Sequence, residues 1–334
     1  MYRYVGLRVL QAIGVLWASF TIAFGILFIL PSDPVSIAVQ GNSASPVDQQ
    51  AVADLQARYG LDQSLLSQYW TSLSHAVRGD FGTSISTGQP VTTAIADALP
   101  STLQLAVGAL VLAVLFGSLI AFATTYSRAQ WLRTALQALP PLGVAIPTFW
   151  VGLMLLQVFS FNLHIFPAFG DKGFSSLVLP ALTLAIPTGA VLAQVLASSM
   201  GTTWRQPYVE TAQAKGASRF RVVTHHVVRL ASIPALTIAG VLIGNLLAGA
   251  VVVETVFSRA GVGRLTQTSV MAQDIPVVLG IVVMSTLVFV LVNLIVDLLY
   301  PLIDPRIVGN TRKKKSPEPE KTAAGRTDVE AAHV

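Results

Sequence analysis

Of the chain's 334 residues, 53% are hydrophobic and only 11% charged, and the mean hydropathy of +0.66 leaves too few charges to cover a soluble globule. The absence of cysteine excludes disulfides, thiol catalysis and cysteine-ligated metals. The net charge of +5 gathers in loops and in the tail, which indicates membrane topology rather than nucleic-acid binding.

A helix needs roughly 20 apolar residues to cross the bilayer core, and six runs reach that length, at 9–30, 101–125, 135–160, 177–200, 231–253 and 275–297. They are too long for barrel strands of about 10 residues. The expected fold is therefore an all-α integral membrane protein with six transmembrane helices. The first run ends in "FILPSDPV" without a small-residue cleavage site and reads as a retained span. The N-terminus, the loops at 126–134 and 201–230 and the tail from 301 hold sixteen of the twenty-one basic residues, which places both termini in the cytoplasm.

After the first run, the outer segment 31–100 carries six acids against two arginines. It predicts two short amphipathic helices, one opening at Ser45 and Pro46, the other bearing Leu65, Tyr69 and Leu73 and suited to the membrane surface. "RGDFG" predicts a turn at Gly79 to Gly82, and the tripeptide RGD alone is too short to argue adhesion. Pro140, Pro141 and Pro147 in the third run, and Pro180 and Pro187 in the fourth, fit either hinges or static kinks.

The stretch 205–230 is the most polar interior part of the chain. Pro207 suits the first position of a helix, Gly216 its end, and Ser218 the cap of a second helix reaching about Leu230. At a period of 3.6, Phe220, Val223, Val227 and Leu230 share one face and Arg221, His225 and Arg229 another. In the first helix Ala212 and Gly216 form a small face, and Glu210 sits near the positive end of the dipole. One reading is a basic anchor at the headgroup layer. The other is a hairpin shaped for a protein groove, which the small face, the acid and the glycine hinge together favour.

Ionisable and amide groups in or beside spans are functional candidates. Asn245 either faces a pore or bonds a neighbouring helix. Glu254 ends the fifth run, within reach of Arg259 and Arg264, and Asp297 and Asp304 flank the end of the sixth. His225 and His226 are adjacent and point to different sides, and His164 stands alone, so no metal site is expected. There is no P-loop, nucleophile elbow or H-E-x-x-H, and no catalytic residue is assigned. The tail at 309–334 reads as disordered, with Arg312 to Lys315 facing anionic headgroups.

"ETAQAKG", Glu210 to Gly216, resembles the E-A-A-x-x-x-G segment of ABC importer membrane subunits. Thr211 replaces the first alanine, and Arg229 stands where the general pattern has proline. The longer "YVETAQAKGASRFRVVTHHVVRLASIPAL", with "ILPSDPV", "RGDFGTSISTGQPV", "PTFWVGLML", "LPALTLAIP" and "GAVVVETVFSRAGVGRL", is similar to the B-type permease of dipeptide and oligopeptide importers over residues 1–308. That resemblance implies a type I ABC importer transmembrane-domain fold and a subunit that imports small peptides by alternating access. It implies as partners a C-type permease, two cytoplasmic ATPase subunits and an extracytoplasmic binding protein, in the cytoplasmic (inner) membrane. ATP and magnesium would then sit on the ATPases, with no cofactor in this chain. It assigns ATPase coupling to Glu210, Thr211, Ala212, Lys215, Gly216 and Arg221. It leaves Asn245, Glu254, Arg259 and Arg264 as candidates for the substrate pathway or for binding-protein contact. Glutathione, nickel and haem importers share the branch and stay open as substrates. A secondary transporter is the alternative class, although no repeated halves are visible.

Overall fold

A computed structural model describes residues 2–29, 63–171 and 173–303. The expectations for Ser45, Pro46, Asp304, Arg312 to Lys315 and the tail at 309–334 lie outside these residues, as does the side chain of Asp297. The residues up to Val296 form one compact unit.

The elements are α1 (Tyr2–Ile29), α2 (Leu65–Val77), α3 (Val91–Tyr126), α4 (Gln130–Ala145), α5 (Thr148–Leu155, continued by a π-helical turn Leu156–Asn162), α6 (Ser175–Trp204), α7 (Pro207–Ala214), α8 (219–237), α9 (Ala239–Val256), α10 (Val262–Met271) and α11 (Ile275–Ile303). Five helices, α1, α3, α6, α9 and α11, are each long and apolar enough to span a membrane. The pair α4–α5, bent by 102° at its break, makes six when counted as one broken span. The unbroken run expected at 135–160 is thus two helices. Pro147 has no amide to continue α4 and holds the residue before it extended, and it becomes the N-cap of α5. Pro180 and Pro187, by contrast, lie inside a continuous α6.

Close contacts fix the directions. Gly108 of α3 meets Ala181 of α6 and Gly117 meets Gly189, so these two helices run parallel. Gly143 of α4 faces Ala190 and Gly152 of α5 faces Thr183, so the broken pair returns between them. α9 and α11 are antiparallel, with Gly240 against Asn293 and Gly244 against Phe289. α1 meets α11, its Ser19 hydroxyl 2.8 Å from that of Thr286. α3, the α4–α5 pair and α6 therefore alternate in direction, as do α9 and α11.

The α3–α6 contact rests on two stripes of small residues four apart. Ala109, Ala113, Gly117 and Ala121 on α3 are all buried, as are Ala181, Ala185, Gly189 and Ala193 on α6. Without larger side chains the backbones approach closely, and a Cβ on Gly117 would lie 2.8 Å from the Gly189 carbonyl. In lipid, where apolar burial gives helices no reason to associate, such packing is the attractive force.

The residues expected on the apolar face of α2, other than Leu65, meet α1. Tyr69 and Leu73 pack against Phe20 and Phe24 of α1, and the Tyr69 hydroxyl is 2.9 Å from that of Thr21. Only Leu65 of the expected apolar face is exposed. The turn after α2 forms as expected, with positive φ at both Gly79 and Gly82.

Candidate functional site

At one end of the bundle α7 and α8 form a tight hairpin. Pro207 is the first residue of α7, where a missing amide costs nothing. The helix ends in a Schellman motif, with Gly216 N–H donating to the Gln213 carbonyl (2.9 Å) and Ala217 N–H to that of Ala212 (3.1 Å). This closure needs the left-handed φ of +82° at Gly216. Ser218 then caps α8 by accepting from Arg221 N–H at 3.4 Å.

The hairpin is fastened to the bundle. Val209, Val222, Val223 and Val227 are buried with Leu196 and Met200 of α6, and Ala212 and Ala217 pack against the same cluster. Ala212 is therefore half-buried and turned toward this chain's own core. Of the face expected for α8, Val223 and Val227 are buried, and Val222 joins them because residues Val222–Val227 are π-helical. An i to i+5 bond from Val228 N–H to Val223 brings Val222 and Val227 to one side, and leaves Phe220 and Leu230 exposed.

Arg219, which the sequence does not single out, is the polar anchor. Its Nη2 donates to the carbonyl of Thr125 at 3.0 Å, one of the carbonyls left free where α3 ends. Its guanidinium lies 4.8 Å from the Trp204 ring and 5.8 Å from that of Tyr126. Burial, then the neighbouring Arg128 and Arg133 cations, hold its pKa below the ordinary arginine range. The one available signal is its place beside the buried valines. Glu210, Thr211, Lys215, Gly216 and Arg221 are all exposed, on the side of the hairpin away from that core.

The opposite end carries the second cluster. Glu254 is 0% exposed, and its carboxylate caps α10 from a different helix. Oε1 accepts from Thr102 Oγ1 at 2.6 Å, and Oε2 from Arg264 N–H at 3.1 Å. Thr102 Oγ1 in turn accepts from Val262 N–H at 2.8 Å. The carboxylate lies where a side chain on Gly261 would begin, which explains that glycine. Gly263 packs its Cα against the α9 backbone at Val251, which explains the next one. Arg264 reaches Glu254 through its backbone; its guanidinium is exposed and donates to Ser258 O at 2.9 Å.

Arg259 is 1% exposed and makes no ion pair within 4.0 Å of Glu254, although Asp171 and Glu254 both act on it electrostatically. Its Nη1 donates to Ser176 O at 3.2 Å. Asn245 is exposed midway along α9, apart from both clusters. A further acid missed by sequence reasoning, Asp274, is 1% exposed. It accepts from Ser84 Oγ (2.5 Å), Ser86 Oγ (2.8 Å) and the amides of Ile85 and Ser86 (both 3.2 Å), tying the loop before α3 to the start of α11. Among the described residues no group of three His, Cys, Asp or Glu is placed to hold a metal.

Residues 87–309 match the family described as binding-protein-dependent transport system inner membrane component, and residues 1–106 match its N-terminal region. The chain is 38% identical over 307 residues to the glutathione transport system permease protein GsiC of Salmonella choleraesuis (strain SC-B67), covering 92% of this chain and 99% of that protein. It is 36% identical, with the same coverage, to GsiC of Escherichia coli (strain K12). A crystal structure of an amino acid ABC transporter with histidines aligns with a TM-score of 0.47 at 18% identity over 64% of this chain and 94% of that one, a likeness too slight to carry an argument. The chain belongs to the inner membrane components of binding-protein-dependent transport systems, and is a multi-pass permease subunit of an ABC importer with the type I fold.

Proposed function

We propose that this chain is the B-type membrane subunit of an ATP-driven importer for short peptides, with the tripeptide glutathione as the first substrate to test. Residues 1–308 form its transmembrane domain, in the inner membrane with both termini in the cytoplasm. It pairs with a C-type permease, receives substrate from an extracytoplasmic binding protein and is driven by two ATPase subunits that hold ATP and magnesium. The observation that carries the reading is the hairpin: exposed Glu210, Thr211, Lys215, Gly216 and Arg221 stand on a base fixed to α3 and α6 by Arg219 and the buried valines. A surface that is free outward and rigid inward passes a push from a docked ATPase into the spans. The partition of basic residues supports the orientation.

Glutathione comes first because full-length relatives carry that name. The chain's own polar residues do not distinguish it from a dipeptide. Outward of the hairpin, α6 runs thirty residues, about 45 Å, to the end where Ser176 meets Arg259. Tilting α6 therefore moves both ends of the subunit at once, as alternating access requires. Arg259, Glu254 and Asp274 position the outer elements, and exposed Arg264 is the group free to meet the binding protein.

The test is uptake into proteoliposomes containing both permeases and the ATPases, with the binding protein supplied outside. Labelled glutathione and a labelled dipeptide should accumulate only with ATP on the hairpin side, glutathione in preference. ATP-independent uptake driven by an ion gradient would overturn the importer reading, and preference for the dipeptide would overturn the substrate order.

A further inference from the structure

α3, α6 and the α8–α9 segment enclose a groove of about 850 Å³ in the half of the bundle nearest the hairpin. Leu110, Val114, Phe122, Leu196, Val228 and Ile243 line it along its length, and the only polar side chains are Ser118 and Ser232. From Leu110 to Phe122 it follows α3 for about 18 Å, slightly more than half of a hydrocarbon core about 30 Å thick. A peptide in transit would find no partners here for its amides, and water would find too few.

The hairpin end of the groove leads to cations. Phe122 stacks on Tyr126 (5.6 Å between centroids) and meets Phe220 edge-on (6.1 Å). Arg219 lies over the Tyr126 ring, with Arg128 and Arg133 close enough to repel it, and among the described residues no carboxylate is one of the charges acting on it. The Arg219 Nε is buried without a hydrogen-bond partner. Tyr126 and Trp131 are exposed beside this cluster, the placement aromatic side chains take at a headgroup layer.

We propose that the groove is a binding site for an anionic phospholipid, its acyl chains lying along α3 and its headgroup held by Arg128, Arg133 and Arg219. A phosphate group beside this cluster offsets three neighbouring positive charges. A helix from a partner subunit would fill the apolar part and leave those charges uncompensated, so charge complementarity selects lipid. The site depends on the groove and the cations, whatever substrate the importer carries.

The test uses the assembled complex in phosphatidylethanolamine vesicles doped with phosphatidylglycerol or phosphatidylcholine, each carrying a photoactivatable diazirine on its acyl chain. Cross-linked peptides are then mapped by mass spectrometry. Phosphatidylglycerol should label 110–122 and 228–243 at least about five-fold more than phosphatidylcholine, the preference expected for even one arginine at a membrane surface. Arg128→Gln with Arg133→Gln should reduce that ratio sharply, and Leu119→Trp, which crowds the groove without touching a charge, should lower labelling by both lipids. Equal labelling in the wild type would mean bulk lipid only and overturn the proposal. Absence of labelling in the assembled complex would mean that a partner subunit fills the groove, and would overturn it as well. A ratio unchanged in the arginine variant would remove the headgroup site.

Discussion

The carbonyl of Ser176, left free because Pro180 has no amide proton to offer it, accepts from Nη1 of Arg259 at 3.2 Å. At the other end of the same helix Arg219 covers the Trp204 ring. α6 is thus gripped by an arginine at each end, one on the loop after α9 and one on the hairpin, and predictions about coupling begin with these two contacts.

Removing the grip at the hairpin should uncouple rather than disassemble. Arg219→Met keeps much of the aliphatic bulk but loses a charge-assisted hydrogen bond and a cation–π contact, together about 2–4 kcal/mol. The complex should still form and hydrolyse ATP, with the ATP consumed per substrate moved rising several-fold. Arg78→Met, exposed after α2 and outside the hairpin, serves as the control and should leave that ratio near wild type.

Gly216→Ala should cost about 1–2 kcal/mol, because an L side chain is strained at this left-handed position. Gly216→Pro should be far worse, since it forbids the φ of +82° and removes the amide that closes the motif on Gln213. Ala212→Trp should wedge α7 away from Val222 and Val223. At equal membrane expression, recovery of the ATPases with the last two variants should fall below that with Gly216→Ala.

Thr102 and Glu254 should behave as one unit. Each of Thr102→Val and Glu254→Gln weakens the cap on α10, and each alone should lower stability by about 1–3 kcal/mol. The double variant should cost clearly less than the two added together. Thermal unfolding of the detergent-solubilised complex reads the coupling, and simple additivity would contradict the shared cap.

Asp274→Asn exchanges an acceptor of four hydrogen bonds for a group that must point donors at donors. Amide exchange at Ile85 and Ser86 should accelerate at least tenfold, while amides in the middle of α3, near buried Leu105 to Ala113, stay protected.

The turn after α2 should weaken in acid. The Gly82 amide and then His75 hold the Asp80 carboxyl below its ordinary value of 3.8. A lowered folded pKa means that its contribution is complete above that value and lost as pH falls through the folded one. The difference in Tm between wild type and Asp80→Asn should be constant from about pH 7 to pH 5 and shrink below about pH 4.

Length and apolarity are enough to read five crossings and the bent α4–α5 pair, because a span must satisfy its own backbone and so announces itself as a long uncharged run. The run expected at 231–253 nevertheless starts within α8, and its span is Ala239–Val256. The hairpin's punctuation is equally plain: Pro207, Gly216 and Ser218 act through backbone rules that need no tertiary context. What stays hidden is whatever depends on a partner. A period of 3.6 finds Val223 and Val227 but misses Val222 on the buried face of α8, because π-helical bonding sets the register there. Tyr69 and Leu73 suit a membrane surface as long as nothing local shows that Phe20 and Phe24 wait on α1. Arg219 and Asp274 look like ordinary loop charges until Thr125 and Ser84, distant in sequence, are brought to them.

The central claim is that the exposed side of the hairpin is gripped by ATPase subunits. The chain has no cysteine, so Lys215→Cys creates a unique attachment point for a photoactivatable maleimide. In the assembled complex, illumination should join this chain to an ATPase subunit in high yield, and the yield should change between the ATP-bound and nucleotide-free states. A complex that transports substrate with ATP yet gives adducts only to lipid, or none at all, would contradict the account.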